Sequence, residues 1–154
     1  MTGITDHSFR RATVEDLPAI VALLAADSLG AGRESPDDLT PYLAAFDRLA
    51  ADPNQQLLVA ERAGKVVGTL QLTLIPGLSR KGATRTLIEA VRVDSDERGR
   101  GLGTLLMEYA IEESRRLGAD LVQLTSDAVR ADAHRFYRQL GFTDSHVGFK
   151  LSLR

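Results

Sequence analysis

Three glycines stand at alternate positions within "EAVRVDSDERGRGLGTLLMEYA" (Glu89–Ala110): Gly99, Gly101 and Gly103, with Arg98 and Arg100 beside the first two. An apolar run precedes them and a helical pattern follows. The start of a helix offers unpaired N–H groups and about half a positive charge. Glycine lets an anion approach that backbone closely and admits positive-φ turns. Guanidinium groups suit phosphate oxygens. The chemistry this spacing suits is capture of a diphosphate at the mouth of a helix.

Several architectures use such a device. A nucleotide P-loop needs Gly-x-x-x-x-Gly-Lys-Ser/Thr, and that lysine is missing. A dinucleotide fold needs Gly-x-Gly-x-x-Gly; the spacing here is wrong, Asp120 falls at the start rather than the end of its strand, and too little chain follows Gly103. A plain glycine-rich turn with solvated arginines is the bland alternative.

The elements that must position this segment follow from patterning. "HSFRRAT" reads as a first strand. Thr13-x-x-Asp16 resembles a capping box that opens a helix with Leu17, Ile20, Val21 and Leu24 at helical spacing. Asp27–Asp38 is a loop rich in Gly, Ser, Pro and Asp. A second helix covers about Leu39–Ala51. Strand Gln56–Glu61 turns into strand Val66–Ile75, where Leu70, Leu72 and Leu74 alternate with Thr69, Gln71 and Thr73. A loop carrying Arg80, Lys81 and Arg85 leads to strand Thr86–Val93. Helix Gly101–Leu117 puts Leu102, Leu105, Leu106, Tyr109 and Ala110 on one stripe and ends at Gly118. "ADLVQLTS" is a strand. "RADAHRFYRQL" is a helix with Ala133, Phe136, Tyr137 and Leu140 on one stripe. "FTDSHVGFKLSLR" is a terminal strand or hairpin. The order βααβββαβαβ describes an α/β fold, one mixed sheet with helices packed on it.

With these elements in place, Arg98-x-x-Gly101-x-Gly103 resembles the Arg/Gln-x-x-Gly-x-Gly/Ala signature of the GNAT superfamily of acyl-CoA-dependent N-acetyltransferases. "VRVDSDERGRGLGTLL" resembles the family's strand–loop–helix throughout. "AHRFYRQLGF" (Ala133–Phe142) resembles its second signature, and element order matches along nearly the whole chain. The last third, "ADAHRFY…GF…SH…F", is also similar to aminoalkylphosphonate N-acetyltransferases. One departure is "TSDAVR", where many members carry Asn near the position of Asp127.

The resemblance implies a GNAT-type sheet splayed between its fourth and fifth strands, with helices on both faces, and acetyl-CoA as donor. The diphosphate would rest on the N–H groups of Arg98, Gly99, Arg100, Gly101, Leu102, Gly103 and Thr104. The pantetheine arm would lie along Val91, Arg92 and Val93, pairing like an added strand. The N–H near Val91 would face the thioester oxyanion. Glu89 occupies the strand position where the family often places a base. On a regular strand it shares a face with Leu87, Val91 and Val93, where burial would raise its pKa. The alternative is a structural pair with Arg85. Tyr137 matches the family tyrosine that lies near the coenzyme sulfur and would act as the general acid; the alternative is a core aromatic. His134 and His146 lack fixed metal-ligand spacing, so His134 reads as a satisfied polar residue and no metal is expected. His7 falls in a terminus expected to fray.

Composition bounds the rest. The chain has 154 residues, enough for one domain with a real core. A net charge of −2 gives no bulk attraction to nucleic acid or an anionic membrane. With no cysteine there is no disulfide, thiolate metal site or cysteine nucleophile. No apolar stretch of membrane-spanning length and no signal-type leader is seen, so a cytoplasmic protein is expected. Its partner would be a small-molecule amine, and open strand edges would suit a homodimer. A non-catalytic acyl-CoA sensor of the same fold is the competing reading.

Overall fold

The computed structural model of the chain describes residues 6–154. They fall into two compact units, divided between Gln123 and Leu124.

In the first unit, β1 (His7–Arg11) leads through a 3-10 turn (Val14–Asp16) into α1 (Leu17–Ala25). The Asp16 carboxylate accepts the Thr13 N–H at 2.7 Å, as the capping pattern predicts. A loop with one 3-10 turn (Gly30–Gly32) precedes α2 (Thr40–Ala51). Strands β2 (Gln55–Arg62) and β3 (Lys65–Ile75) form the expected hairpin. The basic loop contains α3 (Ser79–Gly82), a single turn in which Arg80 and Lys81 are left-handed, at φ 54° and 61°. Strand β4 (Arg85–Val93), a 3-10 turn (Ser95–Glu97), α4 (Leu102–Arg116) and a short β5 (Leu121–Gln123) complete the unit.

The sheet runs β1-β2-β3-β4-β5 in space. The first four strands are antiparallel neighbours, and β5 lies parallel to β4. Parallel strands need a long crossover, and α4 supplies it. Register divides the sheet into two faces. Leu58, Leu70, Leu72, Thr86 and Ile88 line one, all buried, and α4 packs there with Leu102, Leu106, Met107 and Ala110. The Thr86 and Ser114 hydroxyls meet at 2.7 Å inside this layer, and Ser114 donates to the Ala110 carbonyl at 2.8 Å. Phe9 stacks on Tyr109 with ring centroids 5.0 Å apart. On the other face, Ile20, Val59 and Val66 centre a second apolar cluster with Leu23, Leu24 and Leu57. Helices thus cover both faces, as the fold requires.

In the second unit, α5 (Ala131–Gln139) is the only helix or strand among the described residues. Asp127 organises its start. The carboxylate accepts the Val129 N–H at 3.0 Å, and the carbonyl accepts the Arg130 N–H at 3.0 Å. Arg138 pairs with Asp144 at 2.9 Å. The expected terminal strand is not formed. Val147, Phe149, Leu151 and Leu153 do alternate, but all four are exposed. Alternation sets up an extended segment; a strand also needs a partner edge to bond with, and among the described residues this segment has none.

Acid should weaken the sheet–α4 contact through Glu113, which accepts a hydrogen bond from Gln56 at 2.9 Å. The Arg116 hydrogen bonds, opposed by burial and aided by Gln56, lower its pKa to about 2. A folded-state pKa below the ordinary carboxylate value adds stability above that value and loses it as pH falls toward 2. Urea midpoints measured between pH 5 and about pH 2.5 should therefore fall more steeply for the wild type than for Glu113→Gln. Equal slopes would show that Glu113 adds no such stability.

Candidate functional site

The site is built on a break in β4. Gln71 pairs with Glu89 and Thr69 with Arg92, so two steps along β3 match three along β4. The extra residue is a β-bulge, and Ala90 holds a left-handed φ of 54° within it. A bulge reverses the side-chain parity beyond it. The expected shared face of Glu89, Val91 and Val93 is therefore not found. Arg92 takes Glu89's face, and Val93 stands opposite Gly68.

On the other side of β4, pairing with β5 ends at Leu87 with Gln123. Among the described residues no strand pairs with that edge from Ile88 to Val93, so its N–H and C=O groups are open to an extended ligand. This is the splay expected between the fourth and fifth strands. It continues directly into the glycine turn.

Within that turn Gly99 and Gly101 are left-handed, at φ 78° and 77°. A Cβ at either position would meet nothing within 4 Å. Backbone conformation, not crowding, therefore selects glycine here, and the turn is open to whatever binds. Two of the expected cradle amides are already bonded. Arg98 N–H donates to Ser95 O at 3.2 Å, and Arg100 N–H donates to Glu97 O at 3.2 Å. The Leu105 N–H closes α4 on Gly101 O at 3.1 Å. The first-turn amides of Leu102, Gly103 and Thr104 precede that bond and have no intrahelical acceptor. Arg98 and Arg100 are exposed and make no salt bridge among the described residues.

Glu89 is exposed, not buried among apolar neighbours as expected. Its carboxylate makes no ion pair among the described residues. Arg85, the structural partner weighed for it, donates instead to Gln123 Oε1 at 2.9 Å. Beside Glu89 lies a polar floor that sequence reading registered only as alternation. Gln55 Oε1 accepts from Gln71 Nε2 at 2.9 Å and from Thr73 Oγ1 at 2.8 Å.

Two more connections were not anticipated. Arg92 donates to the Val91 carbonyl at 2.9 Å, and its Nε lies 3.0 Å from Asp27 Oδ2, tying the α1–α2 loop to β4. Glu97, a residue the sequence analysis did not single out, has only 2% of its side chain exposed. His7 Nε2 donates to Glu97 Oε2 at 3.1 Å, and Arg62 Nη2 lies 2.7 Å from Oε1. Burial pushes the Glu97 carboxyl up, but the His7 hydrogen bond and the charges of Arg62 and Arg100 bring it below the ordinary range. His7 is thus an ordered residue of β1, 6% exposed at its side chain, and not part of a frayed end. A long-range ion pair of this kind leaves no local signal in sequence.

In the second unit Tyr137 is half-buried on the apolar side of α5. Its ring lies 5.3 Å from Phe136 and 6.0 Å from Phe142. The His134 ring donates to Asp127 O at 2.8 Å, and His146 Nδ1 lies 2.7 Å from Ser145 Oγ. Among the described residues no group of three or more His, Asp or Glu is placed to hold a metal ion, and no helix is long and apolar enough to cross a membrane.

Residues 17–142 match the acetyltransferase (GNAT) family. An aminoalkylphosphonate N-acetyltransferase of Salmonella typhimurium is 35% identical over 94% of this chain and 90% of its own length. An L-methionine sulfoximine/L-methionine sulfone acetyltransferase of Pseudomonas paraeruginosa is 31% identical over 88% of this chain and 79% of its own. A crystal structure described as a transcriptional regulator from Bacillus halodurans C-125 superposes with a TM-score of 0.92 at 42% identity, covering 96% of this chain and 99% of that one.

The glycine turn yields a controlled test. Gly101 and Gly118 stand at opposite ends of α4 with nearly the same φ, 77° and 78°, and open space around each. Gly101→Asp should abolish coenzyme A binding in calorimetry by bulk and like charge, whereas Gly118→Asp should leave the affinity unchanged. Equal affinities for both variants would remove the turn from the binding site.

Proposed function

We propose, from the premise that this chain belongs to the acetyltransferase (GNAT) family, that it acetylates the primary amine of a small metabolite and works as a single catalytic domain. Members of this family take acetyl-CoA as donor, and the chain is an acyltransferase of that kind. The observation that carries the proposal is the β5-side edge of β4, unpaired among the described residues beyond Leu87 and leading past the bulge at Ala90 into the glycine turn.

The residues present fit the donor. In this reading the amides of Leu102, Gly103 and Thr104, with the guanidinium groups of Arg98 and Arg100, hold the diphosphate beside Gly99 and Gly101. The open edge of Val91, Arg92 and Val93 takes the pantetheine arm by backbone pairing. Acetyl-CoA, when bound, supplies the thioester whose C–S bond breaks as the new N–C bond forms.

Three groups of the chain then act. Glu89 takes the proton that the attacking amine must lose, directly or through a water. The N–H near Val91 donates to the developing oxyanion. Tyr137 gives a proton to the leaving sulfur and regains one from solvent; an ordinary phenol, with pKa about 10, can protonate a thiolate whose conjugate acid lies near about 8.5 once a hydrogen bond fixes it.

The relatives guide the choice of acceptor. An aminoalkylphosphonate and a methionine sulfone or sulfoximine each carry an amine and a tetrahedral centre bearing oxygen. Arg80 and Lys81, both exposed in the loop before β4, are suited to an oxygen-rich group of that type. The name of the Bacillus halodurans structure favours a second reading, a ligand-binding regulator without turnover.

Turnover separates the two. Purified protein with acetyl-CoA should release thiol in the presence of 2-aminoethylphosphonate or L-methionine sulfone. Absence of release across a broad amine panel, with coenzyme A bound, would leave the regulator reading standing. Glu89→Gln should lower kcat by about 10²-fold or more while coenzyme A affinity is retained, since general base catalysis has that worth. Tyr137→Phe should behave similarly. A normal rate in either variant would withdraw that residue's role.

A further inference from the structure

Glu97 stands immediately before Arg98, in a position where a buried carboxylate is expensive. A charge removed from water must be paired and hydrogen-bonded to be tolerated, and an apolar side chain would fill the same space at less cost. The charge is also of the wrong sign. It lies next to a turn whose amides and arginines suit an anion, and it would repel that anion if left uncompensated.

The structure resolves both difficulties with one clamp. His7 and Arg62 face each other across the β1–β2 ladder. His7 holds Oε2 of Glu97 at 3.1 Å and Arg62 holds Oε1 at 2.7 Å. Each carboxylate oxygen has its own partner, and Arg62 supplies the counter-charge. The backbone of Glu97 is bonded on both sides as well. Its N–H donates to Asp94 O at 2.9 Å, and its carbonyl accepts the Arg100 N–H at 3.2 Å. Asp94 in turn donates its N–H to Val67 O at 2.8 Å and accepts the Asp96 N–H on its carboxylate at 2.9 Å. The chain from Asp94 to Arg100 is therefore fastened to the sheet at its start and through the Glu97 side chain. Beyond Glu97, residues 98–101 are exposed, and among the described residues their side chains make no salt bridge.

We propose that Glu97, clamped by His7 and Arg62, is a positioning residue for coenzyme recognition: it fixes the glycine turn so that the α4 amides and the Arg98 and Arg100 side chains meet the diphosphate. The proposal rests on the assignment of that turn to the diphosphate given above. Glu97 touches no substrate. It acts through the Arg100 N–H and the path of the backbone into Gly101.

A purely structural role and a positioning role predict different things for ligands with and without the diphosphate. Coenzyme A carries it, whereas pantetheine offers the same thiol arm to the β4 edge without it. Affinities of the full-length protein for both are measured, coenzyme A by calorimetry and pantetheine by amide chemical-shift titration. In a Glu97→Gln variant that retains a cooperative thermal transition, coenzyme A should bind about tenfold or more weakly, in line with loss of a charge-assisted hydrogen bond, while the pantetheine affinity stays the same. Unchanged coenzyme A affinity would overturn the proposal. So would an equal loss for both ligands, which marks a general structural role. If Glu97→Gln does not fold, Arg62→Gln carries the same two outcomes. Wild-type protein that binds both ligands equally would instead contradict the assignment of the turn itself.

Discussion

An α-helix cannot satisfy its own first amides, and everything proposed for this chain depends on where those of α4 are left. Leu102, Gly103 and Thr104 begin the helix with no carbonyl behind them, at the end where the helix dipole is positive. In most helices a capping side chain or water fills this role. Here the preceding residue is Gly101, left-handed and without a side chain to offer. The helix mouth is therefore uncapped from within and open to an anion from outside.

The second dependence is the bulge in β4. A continuous β4–β5 ladder would consume the backbone groups that an extended ligand needs. One extra residue at Ala90 interrupts the β3 register, while β5 pairs only as far as Leu87. A non-glycine residue held left-handed is unfavourable by about 1–2 kcal/mol, and such strain persists where surrounding structure over-determines it. The same bulge turns Arg92 onto the face where Asp27 meets it, so the break in the strand and the fastening of the α1–α2 loop have one cause.

Much of this was legible in the sequence because residue type was dictated locally. Gly99 and Gly101 are demanded by positive φ, Thr13 and Asp16 by an uncapped helix start, and Leu102, Leu106 and Ala110 by helical period against a sheet. What was not legible depends on distance along the chain or on a partner. Ala90 is not the glycine that would announce a bulge. Glu97 is separated from His7 by 90 residues, and nothing local distinguishes it from the solvated acids beside it. Val147 to Leu153 has strand alternation, but alternation does not supply the edge that a strand must bond to. Glu89 was placed on an apolar face by a parity that holds only on an unbroken strand.

The most direct test observes the amides themselves. In a backbone-assigned nitrogen-15 spectrum, saturating coenzyme A should shift the N–H resonances of Leu102, Gly103 and Thr104 strongly downfield, as new hydrogen bonds to phosphate oxygen form. Pantetheine should leave those three in place while moving resonances along Ile88–Val93. Coenzyme A that binds yet leaves the three amides unshifted would contradict the account at its foundation.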